Sequence, residues 1–135
     1  MSTDEADALA MPLILLVEDE DLIREMLVDA LEAAGFSTLV AADARRAVEL
    51  FEDNGDEIRG LVTDINLDDG KNGWELAREA REHASDLPVV YISGASGHEW
   101  ASLGVPNSLM ITKPFAPAQI VVAISSLLVA SDTMP

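Results

Sequence analysis

The chain has 135 residues, no cysteine and a formal net charge of −17 at pH 7, and 49% of it is hydrophobic. That length suits a single domain, and the apolar fraction suffices for a core without disulfides or structural metals. The negative charge repels phosphate backbones and anionic lipid surfaces, which argues against direct nucleic-acid or membrane binding.

Residues Met1 to Ala10 are small and acidic without a periodic pattern and read as a mobile tail. They lack the basic start and apolar run of a secretory signal, and the apolar stretches further on are too short to span a bilayer, so a cytoplasmic location is expected. Pro12 to Val17 is a continuous apolar run of strand length that ends in Glu18-Asp19-Glu20-Asp21. The lack of polar alternation suits a strand buried on both faces.

Leu22, Ile23, Met26, Leu27, Ala30, Leu31 and Ala34 recur at helical spacing, and Gly35 stands where a helix C-terminal cap belongs. The pattern then repeats. Phe36 to Val40 reads as a second strand, Asp43 caps a helix carrying Ala47, Val48 and Phe51, and Asn54-Gly55 ends it. Ile58 to Ile65 is a third strand, terminating on Asp64, and a polar loop from Asn66 to Gly73 leads into a helix over Trp74 to Ala84. Pro88 to Ile92 is the fourth strand. Gly94 to Gly104 holds three glycines and predicts a short or mobile fourth helix. Leu109 to Thr112 is the fifth strand. A last helix follows Lys113-Pro114-Phe115, with Ile120, Ala123, Ile124, Leu127 and Leu128 on one face. Strands alternating with helices in this way predict an α/β domain over residues 11–130, with a parallel sheet covered on both sides and a short tail at 131–135.

In such a sheet the ligand crevice lies beyond the carboxyl ends of the strands, near a topological switch point. Four polar signals fall there: Glu18 and Asp19 after the first strand, Asp64 at the end of the third, Ser93 after the fourth and Lys113 after the fifth. Converging carboxylates repel one another unless a raised pKa or a cation relieves them. Magnesium, which prefers carboxylate, water and phosphate oxygens, is the expected cofactor. It and Lys113 would offset the charge on a phosphoryl group in transfer, leaving Asp64 as a carboxylate nucleophile and Ser93 as a hydrogen-bond donor to the phosphoryl oxygens.

Over Leu13 to Leu128 the chain resembles the receiver domain of two-component response regulators. The resemblance rests on LILLVEDE at 13–20, LVTDINL at 61–67, VVYISG at 89–94 and TKPF at 112–115. It implies a flavodoxin-like, doubly wound (βα)5 fold with strand order 2-1-3-4-5. It also implies that Asp64 is the phosphoacceptor, that Asp19, Asp64 and the backbone carbonyl of Asn66 bind magnesium with Glu18 assisting through water, and that Ser93 and Lys113 sense the phosphoryl group. The Lys113-Pro114 bond would be cis. The donor would be a histidine kinase or histidine phosphotransfer protein, and the phosphorylated surface would bind a downstream protein.

Two positions depart from the family pattern. Met110 stands where the family often carries a Tyr or Phe that swings inward, and Tyr91 does not occupy that position. The stretch Leu67-Asp68-Asp69-Gly70-Lys71-Asn72 lacks the common Met-Pro pair and is longer by about one residue than the family pattern. His83 and His98 have no matching ligand set and read as surface residues, while Trp74 and Trp100 read as packing groups. Ala116 to Ala130 contains no charged residue; either close packing on the sheet or a homodimer contact through Val121, Val122 and Leu128 would account for that.

Three other functions compete. A magnesium-dependent phosphohydrolase would also use an aspartate nucleophile, but usually after the first strand and with a cap. A flavin carrier would need a small, hydroxyl-rich phosphate loop where this chain has four consecutive acids. A phosphate-independent interaction module of the same fold is the third.

Overall fold

The computed structural model describes residues 11–67, 71–94 and 99–133. Along these the elements are β1 (Leu13–Val17), α1 (Asp21–Ala33), β2 (Ser37–Ala41), α2 (Ala44–Asn54), β3 (Ile58–Asp64), α3 (Gly73–His83), β4 (Val89–Ser93), α4 (Trp100–Leu103), β5 (Ser108–Thr112) and α5 (Pro117–Thr133). The five strands form one parallel sheet in the order β2-β1-β3-β4-β5. The predicted fold class and strand order are therefore the observed ones. The expected tail at 1–10, His98 and part of the loop after Leu67 lie outside the described residues.

The unbroken apolar runs are explained by position in the sheet. β1, β3 and β4 are interior strands, and nearly all their residues are buried. Edge strands β2 and β5 are only partly covered. Because side chains alternate across a strand, two cores result. Ile14, Leu16, Val62, Val90 and Ile92 pack under α1 and α5, whereas Leu15, Val17, Leu61, Val89 and Tyr91 pack under α2 and α3.

The helix boundaries follow local chemistry. Asp43 and Asn72 accept the backbone N–H groups of Arg46 and Glu75, satisfying N-terminal donors of α2 and α3. Gly35 takes a φ of +96° just past α1, a conformation that disfavours a side chain. Gly60 brings α5 close to the sheet, since a Cβ there would fall 2.9 Å from Ile14 Cδ1 and 3.0 Å from Ile124 Cδ1.

Several boundaries differ from the sequence reading, most of them by one residue. β4 starts one residue later than predicted and includes Ser93 as its last member, because its ladder with β5 runs through Ser93↔Thr112. The fourth helix is short, as expected: α4 is a single turn of four residues. α5 runs to Thr133, past the expected end of the domain at Ala130. The dimer contact expected on α5 also needs correction. Leu128 is 6% exposed and belongs to the core beneath α5, while Val122 and Val129 are 64% and 63% exposed. Among the described residues no helix is long and apolar enough to cross a membrane.

Candidate functional site

The strand order reverses between β1, which is followed in the chain by β2 on one side, and β3, which is followed by β4 on the other. The crevice beyond their carboxyl ends is therefore the switch point at which open α/β sheets bind ligands. Glu18 leaves β1 with its N–H still bonded to Ala41 O at 3.1 Å, extending the ladder by one residue and drawing its side chain into the crevice. Asp64 is the last residue of β3; the next N–H, that of Ile65, bonds Ile92 O at 3.0 Å and keeps β3 and β4 joined at this end.

The structure brings Glu18, Asp19 and Asp64 together. One carboxylate oxygen from each lies within 4.8 Å of the other two, and Glu18 and Asp64 are buried. Lys113 reaches in from the end of β5, its ammonium 2.9 Å from Asp64 Oδ2, 3.8 Å from Glu18 Oε1 and 3.5 Å from Glu20 Oε1. Its backbone N–H donates to Ser93 O at 2.8 Å, and the Lys113-Pro114 bond is cis. Ser93 is fully buried at the end of β4. Asn66 contributes differently from an acid: its side chain is exposed, and its backbone N–H donates to Asp64 Oδ1 at 3.0 Å.

Close backbone packing fixes the position of Asp64. Gly73 N–H bonds Ile65 O at 2.8 Å, and a Cβ on Gly73 would fall 2.4 Å from the carbonyl oxygen of Asp64. Only a residue without a side chain lets the start of α3 come so near. Two contributors were not singled out from sequence. Arg24 donates through Nη1 to Glu18 O at 3.0 Å and pairs with Asp21, and Glu20 shares Lys113. The i, i+3 spacing of Asp21 and Arg24 was a local signal for the first of these; Glu20 carried none beyond its place in the acidic loop.

The site has more negative charge than its one lysine can balance. Burial, together with nearby Asp64, pushes the Glu18 carboxyl up to about 7, against the lowering effect of the Glu20 N–H, which Glu18 Oε2 accepts at 3.0 Å, and of Lys113. For Lys113 burial acts downward, but the hydrogen bond to Asp64 and the carboxylates of Glu18 and Glu20 outweigh it and hold the ammonium above its usual range. Glu18 Oε1 is buried without a hydrogen-bond partner. An orphaned carboxylate oxygen beside two more oxygen donors is what a hard divalent cation satisfies, so this acidic cluster fits a magnesium site.

Elsewhere the structure separates the remaining candidates from the crevice. His83 is exposed at the end of α3 beside the Phe51 ring. Trp74 is buried against Tyr91, with ring centroids 4.5 Å apart, and Trp100 donates through Nε1 to Ser108 Oγ. All three are where the sequence reading put them, at the surface or in packing.

Comparison with known proteins agrees with this geometry. The family model of the response regulator receiver domain matches residues 14–125, and the chain belongs to that family. It is 32% identical to the response regulator receiver protein CpdR of Brucella abortus, over 90% of this chain and 100% of that protein. It is 34% identical to the aerobic respiration control protein ArcA of Escherichia coli over 87% of this chain, and spans about half of that relative, 48% of its length. The crystal structure of a response regulator receiver protein from Sinorhizobium medicae superposes with a TM-score of 0.86 at 41% identity, covering 91% of this chain and 98% of that one. The receiver domain of the hybrid histidine kinase CckA superposes with a TM-score of 0.71 at 29% identity, covering 86% and 98%. The chain is thus a receiver domain, a signalling module of the phosphoacceptor class.

Proposed function

We propose that Asp64 accepts a phosphoryl group from a phosphohistidine on a histidine kinase or phosphotransfer protein in the cytoplasm. A carboxylate oxygen of Asp64 attacks phosphorus, the donor's P–N bond breaks with its electron pair leaving on the imidazole, and an aspartyl phosphate forms. The observation that supports this best is the convergence on Asp64: a buried carboxylate at a strand end, 2.9 Å from Lys113 and within reach of two further acids.

In this reading Lys113 transfers its hydrogen bond from Asp64 to a new phosphoryl oxygen, a charge-assisted contact. Ser93, anchored through its carbonyl to Lys113 N–H, donates its hydroxyl to another. Glu18, Asp19, Asp64 and the Asn66 backbone carbonyl would hold Mg2+, which supplies positive charge that offsets the charge on the transferring group. The added charge then shifts the distal strand and helix surface, which binds a downstream protein. A homodimer remains part of this proposal only through the exposed Val122 and the half-buried Val121, since Leu128 is committed to the core.

The test is intact mass after incubation with a small-molecule phosphodonor, with and without magnesium, for wild type and Asp64→Asn. A magnesium-dependent single adduct on wild type alone supports the reading. No adduct from several donors and a kinase panel would favour the phosphate-independent interaction module instead, for which Met110 in place of the family's switching aromatic is the supporting observation.

A further inference from the structure

The aromatic missing from β5 has a counterpart one strand away. In the parallel ladder Tyr91 of β4 pairs directly with Met110 of β5, and Ser93 pairs with Thr112. Alternation places Tyr91 and Ser93 on the same face of β4, two residues apart. Tyr91 is fully buried, with its ring 4.5 Å from that of Trp74 at the start of α3. Met110 packs against the same core.

Tyr91 is also anchored at its polar end. Its hydroxyl oxygen accepts the backbone N–H of Val105, at 3.1 Å, in the segment joining α4 to β5. Val105 O accepts the Ser108 hydroxyl at 2.6 Å, and Ser108 Oγ accepts the Trp100 indole N–H at 2.9 Å. Trp100 lies over Gly104, where a Cβ would fall 2.4 Å from its Cδ1. One chain of hydrogen bonds therefore runs from the middle of β4 through Val105 and Ser108 to the indole of α4. The turn is also touched by Arg81, whose Nη2 donates to Asn107 O at 3.4 Å, but that longer contact ties it to α3 rather than to β4.

A ring packed against Trp74 at a 54° tilt and hydrogen-bonded through its hydroxyl is held in one rotamer, unlike an aromatic free to swing. We infer that Tyr91, Ser108 and Trp100 form a fixed brace fastening the α4–β5 segment to β4, so that displacement at Ser93 reaches this face by rigid attachment. Tyr91 is a positioning residue in this scheme. The transmission half rests on the phosphoacceptor reading; the brace itself does not.

The test is residue-resolved hydrogen exchange and indole resonance position by NMR on the full chain, with phosphorylation followed by intact mass. The chain has two tryptophans, and Trp100→Phe assigns their indole signals. Without phosphorylation, Tyr91→Phe should exchange the Val105 amide about tenfold faster relative to β1 and β3 amides, the factor corresponding to one net hydrogen bond. Ser108→Ala should leave Val105 protected and speed exchange of the Trp100 indole alone. On phosphorylation the Trp100 indole signal should move in wild type, and Tyr91→Phe, phosphorylated to the same extent, should retain only a minor part of that movement. Equal Val105 exchange in wild type and Tyr91→Phe would overturn the brace, and a full Trp100 response in Tyr91→Phe would overturn transmission through it. Failure of wild type to form an adduct would overturn the phosphoacceptor reading, and transmission with it, while Val105 exchange still decides the brace.

Discussion

Replacing Glu18 by Gln should stabilise the metal-free protein above neutral pH while weakening its response to magnesium. Glu18 is fully buried, and its carboxyl is raised from 4.5 to about 7, chiefly by that burial. Between these values the folded chain holds a proton that the unfolded chain has released, so stability falls as pH rises through this window and levels above about 7. At about 1.4 kcal/mol per tenfold change in the proton equilibrium, the full rise corresponds to about 3 kcal/mol. The Gln variant avoids that cost and keeps an oxygen for the Glu20 N–H, but loses the attraction of Lys113, 3.8 Å from Glu18 Oε1. A net gain of about 1 to 3 kcal/mol is expected, or roughly 4 to 12 °C in Tm for a domain of this size. Thermal melts of both proteins in a chelator, from about pH 5 to about pH 8, would measure it. The variant and wild type should nearly coincide at the acid end and diverge as pH rises. Adding magnesium at the alkaline end should then raise wild type more than the variant, by mass action on an intact site. A pH-independent difference, or a variant less stable than wild type at pH 8, would refute the account of Glu18 as a buried, charge-crowded carboxyl.

Three further outcomes follow from the same geometry. Gly73→Ala places a Cβ 2.4 Å from Asp64 O and 2.9 Å from Ile65 Cα, both backbone atoms with little room to yield; denaturant unfolding should show a loss of about 1 to 3 kcal/mol, and phosphodonor assays a slower adduct. Asp43→Ala removes the acceptor for Arg46 N–H at the start of α2 and should cost about 1 kcal/mol while leaving the adduct rate unchanged, since α2 contributes no group to the crevice. Tyr91 is the chain's single tyrosine, and burial is the main cause holding its hydroxyl above the ordinary value of 10.0, so its contribution is lost as pH rises above that value. Tyr91→Phe should therefore show a shallower alkaline fall in Tm than wild type; parallel curves would count against it.

Much of the fold was legible locally. Apolar runs such as Leu13–Val17 and Val89–Ile92 marked strands buried on both faces, because an interior strand of a parallel sheet meets helices above and below. The cap residues Asp43 and Gly35 marked helix ends by their own chemistry. The acids at strand ends likewise located the crevice, since any parallel sheet gathers the carboxyl ends of its strands along one edge. Glu18, Asp19, Asp64, Ser93 and Lys113 were therefore legible in the sequence as strand-end residues, and the structure brings them to that edge.

What periodicity could not supply was the relation between elements. Hydrophobic spacing put Leu128 on one face with Ile120, Ala123 and Ile124 but did not say whether Leu128 meets the sheet or a second copy; folding commits it to the core between α5 and the sheet. It could not show that Tyr91 pairs with Met110, because register between strands is set by long-range packing rather than by either strand's composition. The orphaned oxygen of Glu18 and the three-carboxylate environment of Lys113 arise only when loops 46 and 95 residues apart in sequence, from Glu18 to Asp64 and to Lys113, are folded side by side. Sequence alone determined which residue types stand at which strand ends, because backbone periodicity and capping are local. Only the tertiary structure decided their distances, burial and charge balance, because desolvation and Coulomb interactions depend on neighbours brought together by folding.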